Sequence, residues 1–256
     1  MTIRRIYAIA AGIIWFGLGL GMILTIFNVY PPTEIPPASL GVNPPGIEGL
    51  FGRVVDSLSY FTNLSNILVA VVLTMLARNP NRSGGAWSAV RMDSLVMISI
   101  TGLIYAIVLA PDAQVEGLDI IVNAIKHYIV PVMTVFLWLL VGPRRQLTFV
   151  SIFTALVIPI AWAGYTLVRG EFISAYPYGF LNVIDLGLTS VLINIAGVAA
   201  LGIVLGLLFW AVDRLLGRRS GPLSASDATL RPWNTTMNRQ WSRVVFRSNL
   251  QPHWMA

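Results

Sequence analysis

Thr62 and His127 are the residues from which a reaction could be built. Thr62 stands in Ser-Tyr-Phe-Thr-Asn-Leu-Ser-Asn-Ile-Leu, residues 59–68, at the mouth of an apolar run of membrane length. Every polar group in such a run needs a partner, because hydrocarbon supplies none. Thr62, Ser65 and Asn66 follow i, i+3 and i+4, so a helix shows them on one face. A threonine hydroxyl attacks a carbonyl only when a neighbouring base takes its proton. His127 is the one imidazole in a predicted span; the second, His253, lies in the polar C-terminal tail. Nucleophile and base on two helices are the minimum for acyl transfer. The bland readings are a threonine bonded back to its own helix and a histidine bonded to a neighbouring one.

The elements that must position this pair follow from hydropathy and arginine. The chain of 256 residues is 56% hydrophobic and 11% charged, with a mean hydropathy of +0.74, which sets aside the soluble class. Arg4 and Arg5 precede an uncharged run over residues 6–30, too long for a signal-peptide core and read as a retained first span. Residues 31–56, with three Pro-Pro pairs, read as a semi-rigid extracytoplasmic loop. Further spans are expected at about 57–77, 93–110, 120–141, 146–168 and 186–212. The fold class is therefore all-α, a six-helix transmembrane bundle over residues 1–212, followed by a basic, aromatic tail over 213–256.

A cytoplasmic N-terminus leaves only Arg53, Lys126 and Arg169 of the basic residues outside, and places eight of the eleven acidic residues there. Both termini are then cytoplasmic, and the expected location is a bacterial cytoplasmic membrane. Thr62 lies sixteen residues before Arg78 and His127 seventeen before Arg144, so each is roughly 25 Å above the inner boundary. Tyr105, Trp162, Tyr165 and Asn194 fall near that level, forming a polar layer in the outer leaflet. On the fourth span, Asn123 stands one turn above His127, where it could fix the tautomer, and Pro131 frees the carbonyl of residue 127. Ser65, Asn66 and Asn194 could donate to an oxyanion or simply join helices. Asp56 and Asp185 are placed at the rim as solvated or capping groups.

Cysteine is absent, which removes disulfides, thiolate nucleophiles and sulfur-built metal sites. Two histidines argue against a multi-histidine metal centre or bis-histidine haem, and no cofactor is implied. The net charge of +6 is first a topology signal. In the tail, arginines alternate with Trp233, Trp241, Phe246 and Trp254, a pattern suited to an anionic lipid surface; nucleic acid is not the expected partner. Gly17 and Gly21, like Gly202 and Gly206, have the spacing of close helix packing.

Three short motifs carry a resemblance. Tyr60-Phe61-Thr62-Asn63-Leu64-Ser65-Asn66, His127-Tyr128-Ile129-Val130-Pro131, and Tyr176-Pro177-Tyr178 with Phe180-Leu181 occur in that order. Together they resemble the androgen-induced and androgen-dependent TFPI-regulating membrane proteins and their bacterial six-span relatives, over about residues 57–194. The resemblance implies an intramembrane hydrolase of fatty acid esters of hydroxy fatty acids, with Thr62 as nucleophile and His127 as base; Tyr176, in the third motif, is a candidate substrate-binding or oxyanion residue. Bacterial-type members need not share the animal substrate. The expected partner is a lipid ester drawn from the bilayer. Two rival readings predict different behaviour: a transporter or lipid-binding protein using His127 as proton relay or ligand contact, and a scaffold whose function disappears when the residues after Arg219 are deleted.

Overall fold

The computed structural model describes residues 2–31 and 35–218 and shows an all-α molecule with six helices long and apolar enough to cross a membrane. Helix α1 (Ile3–Phe27) is followed by α2 (Leu50–Ser59), α3 (Phe61–Arg78) and α4 (Gly85–Ile104). A π-turn, Tyr105–Leu109, extends α4. The fourth span joins α5 (Asp119–Ala124), a second π-turn (Ile125–Ile129) and α6 (Val130–Val141). The fifth joins α7 (Phe149–Thr154) to α8 (Val157–Ile173), and the sixth is α9 (Val183–Arg218), broken at Gly187 by a φ of 75°. Among the described residues the extended backbone is limited to an isolated bridge between Ser39 and Tyr176.

The side-chain distribution is that of a protein dissolved in lipid. Phe172, Leu140 and Ile107 are more than 70% exposed, whereas Ser65, Asn66, Thr101 and Arg91 are buried in the bundle. Apolar groups facing hydrocarbon cost nothing, and polar groups there must find partners inside. Helix α1 lies along α3, and α4 sits centrally against α3, α6, α7 and α9. Where α1 meets the fourth span, Gly17 lies on Ile125 and Gly21 on Lys126; a methyl at either glycine would fall within 2.6 Å of those side chains. The expected close packing at this pair is thus present.

Several boundaries differ from expectation. Residues 57–59 belong to α2, a separate helix within the proline loop, because Tyr60 is extended (φ −71°, ψ 132°) and the membrane span starts afresh at Phe61. Asp93 does not open the third span: it is buried two turns inside a helix beginning at Gly85. Asp213 belongs to the bundle rather than the tail; it is fully buried and accepts from the Leu147 amide. The tail beyond Arg218, and the lipid-surface role expected of it, lie outside the described residues.

The loop side is held by charge. Asp56 is buried, not solvated at the rim: it pairs with Arg169 of α8 and accepts from the Gly41 amide and Asn43. Arg53 donates to Thr25 and Ile26 carbonyls at the C-terminus of α1 and to Pro44 and Gly46 of the loop. Asn182 gathers the first amides of α9 and bonds Asp185, which therefore serves in a cap. Between the ion pair and the cap, the Ser174–Asn182 turn meets the start of α3 where Tyr178 contacts Thr62.

Candidate active site

Thr62 is the second residue of α3, so its amide is one of the donors that a helix start leaves without an intrahelical acceptor. That amide donates to the Tyr178 hydroxyl at 3.4 Å. The Thr62 hydroxyl lies 3.3 Å from His127 Nε2 and 3.5 Å from the Tyr178 oxygen. The first distance is just beyond the roughly 2.6–3.2 Å of a formed catalytic hydrogen bond, as ligand-free sites often are.

The imidazole is fixed from two sides. Asn123 Oδ1 accepts the Nδ1 proton at 2.7 Å, which leaves the Nε2 lone pair facing Thr62. Tyr105 stacks on the ring with centroids 3.8 Å apart and planes 14° from parallel. Both residues stand in π-turns, His127 in Ile125–Ile129 and Tyr105 in Tyr105–Leu109. Pro131, which cannot donate to the carbonyl four residues back, accounts for the first of these widened turns. Gly102 gives it room, since a methyl there would lie 2.8 Å from the proline ring.

The remaining expected site residues divide between the site and its frame. Trp162 lines the cavity beside Thr62, packs edge-on against Phe61 and donates its indole N–H to the Ser59 carbonyl. Tyr165 reaches the Ser59 hydroxyl rather than Thr62. Ser65 and Asn66 are not aimed at an oxyanion; both donate to the Thr62 carbonyl, and they tie α3 to Thr101 and to the Lys126 carbonyl respectively. Asn194 donates to the Phe180 carbonyl and holds the turn over the site. Tyr176 points elsewhere: it is buried against Gly170, and its backbone pairs with Ala38 and Leu40.

Tyr178 occupies the place expected of Tyr176. It touches Thr62, makes an edge contact with Tyr60 and stacks on Phe180. Burial raises its hydroxyl above the ordinary tyrosine range, so it stays protonated and able to donate. The Tyr-Pro-Tyr-Gly segment was the signal in the sequence, but only the folded turn distinguishes its two tyrosines.

An apolar cavity begins at Thr62 and Tyr178 and runs between α4, α8 and α9, with Ile100, Ile104, Pro159, Ile195 and Val198 in its walls. Ile160 lines it and is also 57% exposed, so the cavity reaches the lipid-facing surface of α8. Among the described residues no group of three or more His, Cys, Asp or Glu side chains converges in the manner of a metal site. No protein-family model, curated protein or solved structure matches the chain.

Proposed function

We propose that this integral membrane protein is an esterase that hydrolyses lipid esters, related to the fatty-acid-ester hydrolases its motifs resemble. The observation that carries the reading is the Asn123–His127–Thr62 chain of hydrogen bonds ending on an apolar cavity. His127 Nε2 takes the Thr62 proton as Oγ1 bonds to the ester carbonyl carbon. The resulting oxyanion is met by the Tyr178 O–H at the N-terminal end of α3, where the helix dipole also favours negative charge. Collapse expels the alkoxide, which takes the proton from His127, and leaves the acyl chain on Thr62. Water then gives a proton to His127 and its oxygen to the acyl carbon, and the carboxylic acid leaves as Thr62 recovers its proton.

In this reading the bundle sits in a bacterial cytoplasmic membrane, and the arginine bias supports an orientation with Thr62 in the outer leaflet. The ester fits with its acyl chain in the cavity and its carbonyl at the loop end. Purified Thr62→Ala and His127→Ala variants, reconstituted and given long-chain esters, should each lose turnover by at least about 10³-fold. Unchanged turnover in either folded variant would falsify the assignment.

A further inference from the structure

Lys126, expected as an outside topology charge, is buried. Its ammonium donates to Asn63 Oδ1 at 2.8 Å and rests in the space that the missing side chain of Gly21 leaves on α1. Asn63 follows Thr62 and Lys126 precedes His127, so the two pairs form adjacent rungs across one helix seam and open to opposite sides. In the histidine rung, Thr62 lines the cavity and His127 stacks on Tyr105; the lysine rung faces α1.

On that side a groove is lined by Trp15, Leu18, Met22, Leu58 and Ile67, with Lys126 and Ser57 as its polar end. Trp15 and Leu58 are 45% and 48% exposed, so the groove opens to the bilayer. An ammonium has three donors, and among the described residues one is used. No carboxylate touches it there: the ion pair among the described residues is Arg169 with Asp56, and Asp119, two turns above Lys126, acts on it through its charge but is not within ion-pair distance. A buried cation with one hydrogen bond and no ion pair at contact has room for an anion. Ser57 accepts from Asn63 Nδ2 and keeps its own proton to give.

We infer that this groove is a second lipid site that binds the carboxylate of a single-chain fatty acid on Lys126 and Ser57. The chain runs from Lys126 past Met22 and Leu18 to Trp15, about seven residues of α1 or ~10 Å, and continues into the bilayer. One cation and one hydroxyl match a monoanionic carboxylate. A phosphate dianion would need further positive charge, and nearby Arg53 is spent on four backbone carbonyls. The site stands whether or not Thr62 cleaves esters.

The experiment uses the full chain in phosphatidylcholine nanodiscs with a diazirine-bearing palmitic acid, the matching long-chain alcohol and the matching alkyl phosphate. The acid should crosslink to peptides carrying residues 15–22 of α1, which line this groove and not the catalytic cavity, at least tenfold more than the alcohol. Unlabelled palmitate should displace it, and hexadecanol should not. Lys126→Met should lower this labelling at least tenfold, whereas Thr62→Ala should leave it unchanged and so separates this site from ester turnover. Equal labelling by acid and alcohol, displacement by hexadecanol, stronger labelling by the phosphate, or loss of labelling in Thr62→Ala overturns the inference. The displacement arm needs no variant and decides the matter if Lys126→Met does not fold.

Discussion

The Thr62 hydroxyl, the His127 ring and the Tyr178 hydroxyl come from α3, the fourth span and the turn after α8, and each is held by a contact that one substitution removes. Under the proposed mechanism, Tyr178→Phe deletes the O–H that would meet the oxyanion and leaves the ring packing. Turnover should fall about 10²- to 10³-fold with KM changed by less than about threefold, read from steady-state kinetics on a long-chain ester. Because burial raises this hydroxyl, the pH–rate profile of the proposed activity in the unaltered protein should show no alkaline decline from Tyr178 within the ordinary tyrosine range. Asn123→Leu frees the imidazole to take the other tautomer, in which Nε2 carries the proton and cannot accept one from Thr62. A loss of roughly 10²- to 10⁴-fold in kcat is expected, and an unchanged kcat would refute the orienting role.

Among the elements, the paired π-turns matter most, since they set Tyr105 against His127. Their packing depends on Gly102, where a methyl meets the rigid Pro131 ring. Gly102→Ala should overpack this crossing by about 1–3 kcal/mol and reduce turnover as the stack shifts, measured by thermal unfolding and activity together. Gly12→Ala, at a position with nothing within 4 Å, is the control and should be neutral or slightly stabilising. Depth counting from Arg78 and Arg144 put Thr62 and His127 at one level because helical rise is constant, and that part of the arrangement was legible before any coordinates. The break at Tyr60, the burial of Asp56 and the choice of Tyr178 over Tyr176 were not. Each depends on which loop residue meets which distant helix, and hydrophobic periodicity carries no record of that.

At the scale of the molecule, six apolar runs and the arginine bias were enough to read an all-α, six-span architecture, since a bilayer admits few alternatives. Lys126 shows the limit of that reasoning: a basic residue counts the same for topology whether it meets water or lies between helices. The exposed flank of Ile160 has a further consequence under the proposed activity. Substrate would arrive by lateral diffusion in two dimensions, while the water that frees the acid would come from the loop side, so the enzyme senses surface composition rather than bulk concentration. In proteoliposomes, turnover should follow the mole fraction of ester in the lipid and stay constant when the vesicles are diluted tenfold at fixed composition. A rate that falls with vesicle dilution would mean the ester reaches Thr62 through the aqueous phase.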